Sequence, residues 1–143
     1  ESLARFEEPR LAPLLLYDHE RDPLSNGRPY TKYINTGIRL LRDNTAQNET
    51  VLTIDMMNPF SYALGRKPPA AGIAAAAYNY TLSEAHHPSA DRFFGNTDIV
   101  VVPKQPSTDP YSFSKYYELY ESDLHDRFRL VLETDMWYLY RRR

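Results

Sequence analysis

A three-layer α/β sandwich with a partly parallel sheet and a C-terminal antiparallel hairpin is the fold this sequence predicts. Three observations predict it. Two short apolar runs rich in β-branched residues, Val51-Leu52-Thr53-Ile54-Asp55 and Ile99-Val100-Val101-Val102, read as strands covered on both faces. Helical patterns with one apolar stripe precede the first run and follow the second. Near the end, Phe128, Leu130 and Leu132 alternate with Arg129, Val131 and Glu133 before a short connection into 136–140, which is a hairpin pattern.

Residues 1–28 are expected to be an N-terminal extension, with 14–17 as a possible strand at the edge of the sheet, and residues 29–143 a single α/β domain. The first helix starts at Pro29, whose fixed φ suits a first turn, and aligns Tyr30, Tyr33, Ile34, Gly37, Ile38 and Leu41 before ending near Asn44. The strand 51–55 follows. A strand over 98–103 must end at Pro103, because proline cannot donate to a ladder. These two strands should run parallel, joined by a crossover through 56–97. Within that segment Ser89 to Phe94 reads as a short helix closed by Gly95, whereas 70–80 fits a helix, a strand or a packed alanine-rich loop. Asp109 and Pro110 supply an N-cap and a first-turn proline for a helix carrying Phe113, Tyr116, Tyr117, Tyr120 and Leu124. The terminal Arg141, Arg142 and Arg143 read as a solvated strand end.

Composition narrows the function. A length of 143 residues suits one core without staples, and 42% hydrophobic with 25% charged residues is ordinary for a globular chain. A formal charge of −2 offers no basic field for nucleic acid, so no nucleic-acid partner is expected. With no cysteine there is no disulfide, thiolate site or thiol nucleophile, and the compartment is left open between cytoplasm and periplasm. The longest wholly apolar stretches, 14–17 and 73–78, fall far short of the ~20 residues that span a bilayer. The chain begins at Glu1 without a signal-peptide pattern and reads as a processed chain or a piece of a longer one.

Ligands of partly parallel sheets bind beyond the carboxyl ends of the strands. That rule gathers Asp55, Asn58, Ser61 and Arg66 after the first strand and Lys104 after the second. A carboxylate, an amide, a hydroxyl and two cations could then meet a polar ligand. Lys104 beside Asp55 would keep the carboxylate ionised, an acceptor for sugar hydroxyls rather than a general acid. The plain alternative is local capping, since Asp at a strand end commonly takes backbone amides and Asn58-Pro59 is a turn signal. His87, within the crossover segment, joins the ligand candidates as the third residue, with Asp55 and Lys104, that a stand-alone enzyme would use. His86 and His87, adjacent and before Pro88, splay apart and suit a surface or helix-capping role better than a metal site. The run 17–22 reads as a charged surface turn. No phosphate-binding glycine loop, no GxSxG elbow and no HExxH helix occurs, so no cofactor, metal or catalytic residue is expected. Twelve tyrosines suggest a carbohydrate platform, but Tyr33, Tyr116, Tyr117 and Tyr120 fall on helix stripes and suit core packing better.

The ordered series Leu52-Thr53-Ile54-Asp55, Asn58-Pro59-Phe60-Ser61-Tyr62-Ala63-Leu64-Gly65, His87-Pro88-Ser89, Phe94-Gly95, Val100-Val101-Val102-Pro103-Lys104 and Trp137-Tyr138-Leu139-Tyr140-Arg141 resembles the soluble C-terminal extracytoplasmic region of polytopic bacterial inner-membrane proteins, uncharacterised or of the lipid-linked-sugar glycosyltransferase kind. The resemblance runs from about Tyr30 to the end. It implies a periplasmic accessory domain behind a membrane-embedded part of the same chain, with carbohydrate or a lipid-linked sugar as partner. It also implies that catalytic carboxylates lie in the membrane part, so none transfers to this chain. The competing expectation is a small stand-alone α/β enzyme acting on a polar small molecule.

Overall fold

The computed structural model describes residues 3–17, 30–70, 73, 75–107 and 109–143. The predicted turn over 17–22 and the Pro29 helix start fall on or run into residues outside that description. Helices lie on both faces of a four-stranded mixed sheet, as the sequence predicts.

The elements in order are β1 (Leu3–Arg5), β2 (Leu15–Tyr17), α1 (Tyr30–Asn44), β3 (Val51–Thr53), α2 (Phe60–Ala63), α3 (Ala90–Phe94), β4 (Ile99–Pro103), α4 (Pro110–Glu118), α5 (Glu121–Arg127), β5 (Phe128–Glu133) and β6 (Trp137–Arg142). The sheet order is β3-β4-β6-β5. β3 and β4 are parallel with Thr53 opposite Val101, and β6 is antiparallel to both β4 and β5. β4 is central and every one of its residues is buried, which is why its sequence is unbroken by polar residues.

Alternation along the strands builds two cores. Val51, Ile99, Val101, Trp137 and Leu139 face α1 and α2, while Leu52, Ile54, Val100, Val102 and Tyr140 face α3, α4 and α5. On the first face Trp137 is fully buried against Tyr33 at 4.5 Å and Phe60 at 5.3 Å between ring centroids. A Cβ built on Gly37 would lie 2.3 Å from the Phe60 ring, so glycine is what lets α1 approach this closely. On the second face Tyr120 stacks on Phe93 at 3.8 Å.

Three expectations change. Leu15–Tyr17 is a strand, but it pairs with Leu3–Arg5 in a separate ribbon and not with the sheet edge. That ribbon packs through Phe6 and Leu11 onto the α1 side, and its ion pairs run from Glu7 and Glu8 to Arg39 and Arg42. The helix expected to run from 110 through Leu124 is broken at Leu119 and Tyr120, where Tyr120 leaves helical geometry at φ −126° and sends its hydroxyl to the Pro88 carbonyl. The terminal arginines are not a solvated end. Arg142 donates to the carbonyls of Thr97, Phe94 and Gly95, Arg141 pairs with Glu49 and reaches the Asn44 carbonyl, and Arg143 reaches the His125 carbonyl. They clamp the ends of α1, α3 and α5 to β6, as cations suit helix C-termini.

Candidate functional site

Because β3 and β4 are parallel, the segments leaving them start at one end of the sheet. There the loop after β3 and the loop after β4 meet at Asp55, whose residue is 2% exposed. Its Oδ2 accepts from the Tyr33 hydroxyl of α1, from the Ser107 amide at 3.1 Å and from the Ser107 hydroxyl at 2.8 Å. Its Oδ1 accepts from the Met56 amide at 2.7 Å. Four donors on one buried carboxylate satisfy the requirement that a buried charge be fully hydrogen-bonded. Asp55 thereby ties α1, β3 and the 104–107 loop into one joint.

The surrounding tyrosines respond to that carboxylate. Burial first, then Asp55, holds the Tyr33 phenol well above the ordinary tyrosine range and raises Tyr30, which stacks on Tyr33 at 5.9 Å. Tyr116 is raised by burial, by Tyr120 and by Asp55. These phenols stay protonated at neutral pH, so they are hydrogen-bond donors or ring walls, not bases.

The other candidates divide. Asn58 stays at the same end, its Oδ1 accepting from the Thr53 hydroxyl at 3.0 Å. Ser61 turns inward on α2, 3.5 Å from the Val51 carbonyl. Arg66 is buried at the opposite end, where its guanidinium donates to the Thr45 hydroxyl at 2.8 Å and lies 3.5 Å from the Leu41 and Glu49 carbonyls. Burial lowers its pKa and Glu49 opposes that. Lys104 points away from Asp55: its ammonium pairs with Glu133 at 2.6 Å over the Tyr138 ring, so the expected Asp55–Lys104 pair does not form. Lys104 leaves a β4 whose next partner is the hairpin, and Glu133 on that hairpin is the carboxylate within its reach. His87 belongs to the α3 side, its Nδ1 3.0 Å from the Ser83 carbonyl and its ring edge-on to Tyr120. Among the described residues, no group of three or more His, Asp or Glu side chains is placed to hold a metal ion. No helix of the described residues is long and apolar enough to cross a membrane.

Tyr33 and Ser107 are the residues that sequence reasoning missed as partners of Asp55. Tyr33 carried a signal, since it sits one turn from the helix start on the buried stripe, where its hydroxyl can overhang the strand end. Ser107 carried none beyond its place in a proline-flanked loop. Compared with known protein families, with characterised proteins and with solved structures, the chain matches none of them.

Proposed function

We propose that this chain is a noncatalytic accessory domain of a bacterial membrane protein of the glycosyltransferase-like kind, working outside the cytoplasm in acceptor recognition or partner contact. The observation that supports this reading most is the use made of Asp55. The buried carboxylate that directly follows β3 has its lone pairs occupied by Tyr33, Ser107 and Met56, an arrangement that holds loops in place. A general acid or nucleophile needs reach to a substrate atom, and this carboxylate is directed into the protein. The groups left at its rim are the Asn58 amide and the backbone of the two loops, which suit hydrogen bonding to hydroxyls, while the Lys104 ammonium is turned away to Glu133. The ligand that fits is a carbohydrate or the sugar of a lipid-linked donor.

The test is a titration with mono- and oligosaccharides, followed by amide chemical shifts and, in parallel, by product formation. Saturable shifts in 55–58 and 104–107 without product are expected. Product formation that disappears in Asp55→Asn would establish the alternative, a small α/β enzyme acting on a polar molecule.

A further inference from the structure

Among the described residues β5 is an edge of the sheet, paired on one side by β6. Its register breaks between Leu130 and Leu132, and such a bulge ordinarily guards an edge against pairing. Here the guard is incomplete: β5 holds no lysine or proline, its charges are Arg129 and Glu133 near its two ends, and between them Leu130 and Val131 stand 48% and 42% exposed. Beside the strand, on the α1 face, runs an open groove of about 410 Å³. Its floor is Leu40, Leu132 and Met136. Its α1 wall runs from Lys32 to Asp43, about 16 Å at 1.5 Å per residue, which an extended strand covers in about five residues.

The charges on this wall choose among occupants. Arg39 is held by Glu7. Lys32 and Asp135 both line the groove and oppose each other in sign. Asp43, exposed at the far end, has no ion-pair partner among the described residues. An unpaired sheet edge takes extended backbone, the apolar floor takes an aliphatic side chain, and Asp43 takes a cation. We infer that β5 and this groove receive an extended segment of a partner protein as an added strand, with an aliphatic side chain over Leu40 and Leu132 and a basic side chain two residues away at Asp43. It rests on the reading of the chain as a domain that contacts a partner and gives that contact a place and a chemistry.

The probe is a capped seven-residue peptide of alternating valine and threonine with lysine at one terminal groove-facing position. Three companions are needed: the same peptide with glutamate for lysine, an N-methylated version that cannot form a ladder, and the Asp43→Lys variant of the protein. Saturable amide shifts across 128–133 are expected, with the lysine peptide binding roughly fivefold more tightly than the glutamate peptide. Asp43→Lys should reverse that order, and N-methylation should abolish binding. Asp43 is exposed, so its reversal leaves the fold intact, and an unchanged melting curve checks this. Shifts elsewhere, equal binding of the N-methylated peptide, or β5 shifts that appear with protein concentration alone and so report a second copy would each overturn the inference. If saccharide binding survives in such a case, the proposed function stands without it.

Discussion

Asp55 is the residue whose removal should be felt most. Asp55→Ala leaves the Tyr33 hydroxyl, two Ser107 donors and the Met56 amide without their acceptor inside the protein. Each unsatisfied donor costs on the order of 1 kcal/mol or more, so a loss of about 3 kcal/mol is expected in urea denaturation. Lys104→Ala, which removes a solvent-screened pair with Glu133, should leave the urea midpoint nearly unchanged. Equal losses would mean that Asp55 is not the joint. The phenols give a second outcome, in pH. A tyrosine whose folded pKa lies above its unfolded value contributes stability that is intact below the unfolded pKa and is lost as pH rises through the folded one. Tyr33 and Tyr116 are raised, and burial pushes Tyr120 up to about 12. Unfolding free energy should therefore hold up to about pH 10 and fall between about 10 and 12, by up to ~1.4 kcal/mol per unit for each buried phenol. Urea midpoints that stay level from pH 9 to 11.5 would contradict this. Asp55 itself was legible in the sequence as a carboxylate at the end of a buried strand, but its side-chain partners lie 22 and 52 positions away, Tyr33 marked by its place on the buried helical stripe and Ser107 by nothing beyond its proline-flanked loop.

Among the elements, those dictated by burial on both faces were readable, because an interior strand has no polar positions to interrupt it. β3 and β4 are such strands, and α1 announced itself by its stripe. Elements fixed by single long-range contacts were not. β2 looks like any short apolar run until β1 is folded against it. The break between α4 and α5 is invisible because Tyr120 fits the helical spacing while its hydroxyl and ring are used elsewhere. The arginines of β6 read as a charged tail because their acceptors are backbone carbonyls, which every sequence has. Their role predicts that Arg142→Ala, which removes three bonds to the end of α3 and the loop after it, costs about 1–3 kcal/mol and raises amide exchange over 94–98. Unchanged exchange would return Arg142 to the solvated end. Gly37→Ala sets helix propensity against space: alanine favours the helix by about 1 kcal/mol, yet its methyl would sit inside the Phe60 ring. Crowding should prevail with a net loss of about 1–2 kcal/mol, and a stabilised variant would show that α1 can shift away.

For the whole molecule, layering and strand direction put two loops at one end of the sheet, and that much of the candidate site was readable from the alternation of strands and helices. Ser61, Arg66 and His87 were assigned to it by chain order, whereas three-dimensional reach sends Arg66 to the opposite end and His87 to the α3 face. The proposed accessory role rests on this frame, in which Asp55 is held by protein donors and, among the described residues, an open groove runs beside the outer edge of β5. The most direct measurement is a pair of reporter fusions to the C-terminus of the full-length protein in bacteria, alkaline phosphatase in one and green fluorescent protein in the other. Active phosphatase with a dark fluorescent fusion is predicted for an extracytoplasmic domain, and inactive phosphatase with a bright fluorescent fusion would contradict it.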